Sequence, residues 1–231
     1  MFLQSNLEKI RSVIASAALE VGRDPAEITL EAATKTQDDA TIRAAIAAGV
    51  TVCGENRVQE MTAHLDTDAY AGARLHFIGH LQTNKVKQVV GRVDLIESVD
   101  SVRLLEAIEK AAANLNIVQD ILIEVNIGGE ESKWGVAAGQ VEELARMACQ
   151  LPHVRLRGLM AIPPIVSEQG NRGFFHKMCE IYVDIKRKMA DNRNDIDCLS
   201  MGMSGDYADA VREGATLVRV GTALFGPRDT Q

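Results

Sequence analysis

Apolar and polar positions along the chain change period several times. At the start, Leu3, Leu7, Ile10, Ile14, Ala17 and Val21 recur at spacings of 4, 3, 4, 3 and 4, which places them on one face of a helix. Glu8, Lys9, Arg11 and Glu20 fall on the other faces. A secretory signal would show an unbroken apolar centre and a small-residue cleavage site instead. The segment therefore reads as a helix packed on the body of the protein. Gly22 ends it and Asp24-Pro25 turns the chain.

Beyond the turn, short β-branched or apolar runs alternate with stretches of helical period. The predicted strands are Ile28–Thr34, Val50–Cys53, Leu75–Ile78, Val93–Glu97, Ile121–Ile127, Arg155–Met160, Cys198–Met201 and Leu217–Val220. Between them lie predicted helices at Asp39–Ala48, Val58–His64, Asn84–Val90, Val102–Asn114, Val141–Gln150, Gly173–Ala190 and Tyr207–Glu213. Eight strands joined by helices are the bookkeeping of an α/β fold of the (β/α)8, or TIM, barrel type. An open doubly wound sheet would carry a glycine-rich first turn; here that turn reads Thr34-Lys35-Thr36-Gln37. No linker, low-complexity tract or internal repeat interrupts the pattern. The expectation is one barrel domain over 1–231, with an extra N-terminal helix outside it.

Composition narrows the function classes. The 25 Lys and Arg residues are outnumbered by 32 Asp and Glu, for a net charge of −7. This argues against a nucleic-acid partner, which would favour a basic stripe. Aromatics are only 4% of the chain, so base-stacking platforms are not expected either. Cys53, Cys149, Cys179 and Cys198 form no C-x-x-C pair and read as thiols in a reducing compartment. No apolar run is long enough to cross a bilayer. A cytoplasmic protein with no membrane partner is expected.

In a (β/α)8 barrel the chemistry sits at the carboxyl ends of the strands. Lys35 ends the first strand, where partial desolvation would favour a neutral amine able to attack an aldehyde. The last two strand ends carry Ser204-Gly205 and Gly221-Thr222, where barrels commonly hold phosphate. A hydroxyl and free backbone N–H groups at a helix start can face an anion. Asn56 and His80 follow the second and third strands and can contact a flat ring held between lysine and phosphate. His76 and His80 are four apart but run from strand into loop, so they do not make a metal pair. No metal site is expected, and Lys85, Lys87 and Lys133 read as solvated charges. A lysine opposite a phosphate site implies a phosphorylated aldehyde or ketone as ligand.

Several longer motifs then become informative together. They are Ala33-Thr34-Lys35-Thr36, Gly54-Glu55-Asn56-Arg57-Val58-Gln59-Glu60, the stretch from His76 to Lys85, Arg157-Gly158-Leu159-Met160, Leu199 to Ser204, and Arg219-Val220-Gly221-Thr222. In this order, along essentially the whole chain, they resemble the pyridoxal-phosphate homeostasis proteins of the YggS/PROSC type. That family is similar to the barrel domain of alanine racemase, fold type III among proteins that use this cofactor. The resemblance implies a non-catalytic carrier or regulator of pyridoxal 5'-phosphate (PLP, a vitamin B6 form) that affects amino-acid and keto-acid balance. It implies Lys35 as the Schiff-base lysine, and Ser204, Gly205, Gly221 and Thr222 as the phosphate site. Arg219 would face the pyridine nitrogen, with Asn56 and His80 along the ring. The chain departs from the family pattern at Cys53 (Phe expected), Ala33 (Ser common) and Gly205 (Asp common).

Arg219 interrupts an otherwise apolar strand, so its charge requires a specific partner. A guanidinium cannot take up the pyridine proton, which leaves a bound ring a poor electron sink. Three functions are weighed: a PLP-binding homeostasis protein without substantial turnover, a PLP-dependent amino-acid racemase, and a Schiff-base aldolase using Glu55 or His80. The first is preferred, because racemisation needs a second base that alanine racemase draws from an added β-domain. PLP-dependent apoenzymes are the implied partners, and a monomer is preferred over a dimer.

Overall fold

The computed structural model describes residues 2–130, 132–164, 170–189 and 194–227. Eight parallel strands form its centre: β1 (Thr29–Ala33), β2 (Val52–Glu55), β3 (Arg74–Phe77), β4 (Leu95–Val99), β5 (Gln119–Asn126), β7 (Val154–Ala161), β8 (Cys198–Ser200) and β9 (Leu217–Val220). Sequential pairing, plus β5 on β7 and β9 back on β1, closes them into a barrel. A two-residue strand, β6 (Val136–Ala137), adds to β5 outside the ring. Its length is below what period-2 patterning can register.

The helices α2 (Asp39–Ala47), α3 (Val58–Asp66), α4 (Val102–Leu115), α5 (Val141–Gln150), α6 (Arg172–Met189) and α7 (Tyr207–Arg212) surround the barrel. Their starts carry local signals. Asp38 accepts the Thr41 N–H at 2.8 Å, and Ser101 accepts that of Leu104 at 3.3 Å, each satisfying a backbone donor that the helix leaves unpaired. The predicted helix Asn84–Val90 is a 3-10 segment, Thr83–Gln88. Ala190, the last residue of another predicted helix, lies outside the described residues. A final short helix, α8 (Thr222–Phe225), follows β9 directly; one turn is too short to show a period.

Helix α1 (Phe2–Glu20) buries Leu7, Ile10, Ile14 and Ala17 as the periodicity predicts. Val21 lies beyond its end and is exposed, because Gly22 turns the chain at φ 73°. The helix is tied to the far end of the chain: Asn6 donates to the Leu224 carbonyl, and Arg23 to those of Val211 and Ala215. No helix among the described residues is long and apolar enough to cross a membrane.

The main apolar core lies between barrel and helices. Inside the barrel a separate, smaller cluster contains Leu95, Leu122 and Met160. A bulge in β7 shapes this interior, since Ile121 pairs with Leu156 but Leu122 pairs with Gly158. Gly158 has φ 149°, and a Cβ there would strike the Cys198 carbonyl. The extra residue, Arg157, binds Asp120 and Asp197 at the amino-terminal end of the barrel. A recess of about 580 Å³ opens at that end, but Arg155 and Arg157 on its rim are already paired with these aspartates.

Candidate functional site

The carboxyl ends of the strands enclose a cavity of about 440 Å³, within the range of small-ligand pockets. All eight residues singled out from the sequence line it: Lys35, Asn56, His80, Ser204, Gly205, Arg219, Gly221 and Thr222.

Lys35 is held by its neighbours. Thr34 is buried and both its N–H and its hydroxyl donate to the Gly54 carbonyl, at 2.9 and 3.1 Å. Thr36 takes a left-handed conformation (φ 66°) and its N–H donates to Glu60 Oε2 at 3.1 Å. The lysine is thus carried on a stretch fixed from both sides.

On the far side, two loops are joined through one hydroxyl. Ser204 Oγ accepts the N–H groups of Gly221 (3.1 Å) and Ala223 (3.2 Å). Both acceptor positions are filled, so the hydroxyl proton remains for an incoming acceptor. Asp206 props this loop by accepting from Met203 N–H and Asn171 Nδ2. A Cβ would meet nothing at Gly205 and only ordinary contacts at Gly221. The protein itself therefore does not demand glycine at either position, and the space is open.

A flat wall completes the cavity. His80 stacks on Trp134 with ring centroids 3.5 Å apart and planes 12° from parallel. Its Nδ1 is buried 3.3 Å from Asp100 Oδ2, and Asn56 Oδ1 is buried without a hydrogen-bond partner. The loops carrying them are pressed together, because a Cβ on Gly79 would collide with the Asn56 backbone. Trp134 was not foreseen from the sequence, although it is the single tryptophan and follows Gly128-Gly129 past a strand end. Lys133 beside it is engaged by Glu130 and the Pro163 carbonyl.

The floor is charged. Arg219 donates to Ser200 Oγ and, at 2.9 Å, to the Ala161 carbonyl. Ser200 Oγ in turn donates to Glu97 Oε2 at 2.6 Å. His76 Nδ1 lies 2.9 Å from Glu97 Oε1 and 2.8 Å from Glu31 Oε2. These bonds join β1, β3, β4, β8 and β9, so they cross the barrel interior. His76 therefore belongs to the interior and His80 to the mouth, apart as the sequence implies. Glu31, His76 and Glu97 bring their ligating atoms within 4.8 Å of one another, a grouping that sequence spacing did not reveal; here hydrogen bonds join them. Burial and the adjacent Glu97 charge raise Glu31 to about 8. Burial also pushes Glu97 up, but the His76 hydrogen bond and charge, with Arg219, outweigh it and hold Glu97 low, as an anion. Glu124 is a further lining residue missed in the sequence. Burial, with Asp100 nearby, raises it to about 7.

The arrangement provides an amine, a hydroxyl-bearing loop pair, a flat wall and a fixed cation, which suits a planar, phosphorylated carbonyl compound. Comparisons with known proteins agree with it. Residues 31–229 match the alanine racemase N-terminal domain family. A protein of Aquifex aeolicus named pyridoxal phosphate homeostasis protein is 42% identical over 223 residues, covering 96% of each chain. The structure of PipY from Synechococcus elongatus with PLP bound superposes with TM-score 0.83 at 31% identity, over 97% of this chain and all of that one. An alanine racemase of Clostridium difficile shares the fold alone, with TM-score 0.72 and 14% identity, over 99% of this chain and 57% of its own. The chain belongs to the alanine racemase N-terminal domain family and, within it, to the pyridoxal phosphate homeostasis proteins.

Proposed function

We infer that this chain binds PLP covalently through Lys35 and serves PLP homeostasis without substantial turnover, PLP-dependent apoenzymes being the partners that receive the cofactor. The observation that carries the reading is the single cavity lined by Lys35, Ser204, Arg219 and Thr222, in a chain 31% identical to PipY, whose structure holds PLP. PLP supplies an aldehyde that condenses with an amine and a ring that accepts electrons.

The residues of this chain fit that group. Lys35 offers the amine. The unused proton of Ser204, with Gly205, Gly221 and Thr222, faces the phosphate, and a charge-assisted bond of this kind is the strong sort. Asn56 brings a buried carbonyl oxygen without a hydrogen-bond partner to the ring, and His80 brings an imidazole backed by Asp100. Arg219 faces the pyridine nitrogen as a donor with no acceptor atom, so it cannot hold the nitrogen protonated. Arg219 would thus give a bound ring little help in stabilising negative charge, which supports a carrier over a catalyst. A racemase would call on Glu124 or His80 as its second base; the described lining of the cavity contains no tyrosine.

The test is a visible spectrum of the protein incubated with PLP, followed by borohydride reduction and peptide mapping. A yellow protein labelled on Lys35 is expected, with colour lost in a folded Lys35→Ala variant. A colourless protein would favour an aldolase that uses lysine alone, and a label mainly on Lys85 or Lys133 would overturn the attachment site.

A further inference from the structure

The interior of a (β/α)8 barrel is ordinarily packed with branched aliphatic side chains. Here Glu31, His76, Glu97, Ser200 and Arg219 occupy it, each buried to within 4% of full exclusion from solvent. Buried ion clusters are rarely more stabilising than apolar packing of the same volume. Their retention calls for another reason, and the geometry supplies one.

The two bonds from Arg219 through Ser200 to Glu97 have only one possible direction. Arginine has no acceptor atom, so Ser200 Oγ must receive from Arg219 and spend its single proton on Glu97 Oε2, 2.6 Å away. Glu97 Oε2 therefore acts as an acceptor, and His76 Nδ1 lies 2.9 Å from its other oxygen. Glu31 Oε2 approaches the same nitrogen at 2.8 Å, so His76 Nδ1 is held between the two carboxylates. Gly54 makes room for Glu31, since a Cβ there would collide with Oε1. At the cavity end, Nη1 and Nη2 of Arg219 are anchored by Ser200 and the Ala161 carbonyl. The remaining N–H groups are left for the cavity that Arg219 lines.

We propose that Glu97 and Ser200 are positioning residues that aim the Arg219 guanidinium at the ring nitrogen of the bound cofactor, with His76 and Glu31 bracing Glu97 from behind. This rests on the PLP-binding reading above. Arg219 Nη1 lies 3.8 Å from Glu97 Oε2, with Ser200 as the link between them. Removing the hydroxyl lets the guanidinium close that gap and withdraw from the cavity. Removing the Glu97 charge leaves the guanidinium without its buried counter-ion and His76 without its anion.

The test is the nitrogen-15 resonance of ring-labelled PLP bound to purified protein, with cofactor affinity as a second readout. Ser200→Ala and Glu97→Gln should move the resonance toward the position seen in Arg219→Gln and weaken affinity about threefold to tenfold. Labelling of Lys35 by borohydride should persist in both. Ser98→Ala removes a buried hydroxyl from the same barrel that has no hydrogen-bond partner; its resonance should stay at the native position. If Glu97→Gln fails to fold, Ser200→Ala alone decides. A native resonance in Ser200→Ala while Arg219→Gln shifts it overturns the proposal. A native resonance in Arg219→Gln would instead show that the arginine does not face the nitrogen, which removes that part of the binding reading as well.

Discussion

Replacing Ser204 by Ala separates two roles that the hydroxyl combines. As an acceptor it ties two loops together, through the N–H groups of Gly221 and Ala223 at 3.1 and 3.2 Å. Loss of such a cap costs about 1 kcal/mol, and for a chain of this size each kcal/mol lowers Tm by roughly 2–4 °C. The apoprotein should therefore melt a few degrees lower, and no more. As a donor, the same hydroxyl has one proton left for the phosphate. A hydrogen bond to a charged group contributes about 1.5–3 kcal/mol, so PLP affinity should fall roughly tenfold to a hundredfold at 1.4 kcal/mol per decade. Pyridoxal, which lacks the phosphate, should lose only what the slackened loop costs. Adding Thr222→Ala should widen the gap between the two ligands. The assay is spectrophotometric titration with each ligand, beside thermal melts of the apoprotein. Equal losses for PLP and pyridoxal would falsify the phosphate assignment, and a loss confined to Tm would leave Ser204 a cap alone.

Two further outcomes follow from the charged interior. Glu31 titrates at about 8 in the folded chain against 4.5 as an ordinary carboxyl. Its contribution is then fully present below pH 4.5 and is lost as pH rises through about 8. Melts of the apoprotein between pH 5 and 8 should show the native chain losing Tm relative to Glu31→Gln, and a constant difference would mean that the carboxyl holds no proton. The PLP-loaded protein should exchange the α-hydrogen of L-amino acids for deuterium far more slowly than an enzyme does; exchange with loss of chirality above about one turnover per second would establish a racemase, with Glu124 the first residue to replace.

The barrel was legible in the sequence because its signals are local. Alternating short apolar runs and helical periods, and punctuation such as Gly22 and Asp38, act over a few residues and carry their own physical cause. Lys35, Ser204 and Thr222 were legible too, because closure of the barrel sends every strand's carboxyl end to one face. The rest depended on which strands meet across the interior. Glu31, His76 and Glu97 each look like an isolated polar residue within an apolar run, and no spacing relates them. Arg219 announced that it required a partner but not which one, since Glu97 lies 122 residues away in the chain. Trp134 and Glu124 reach the cavity only because the segment after β5 folds back over the mouth and because alternate residues of β5 face inward. Periodicity along a chain records which side of its own element a residue occupies. Only barrel closure decides what it faces there, and for charges removed from water the identity of that neighbour sets both protonation and direction of every bond.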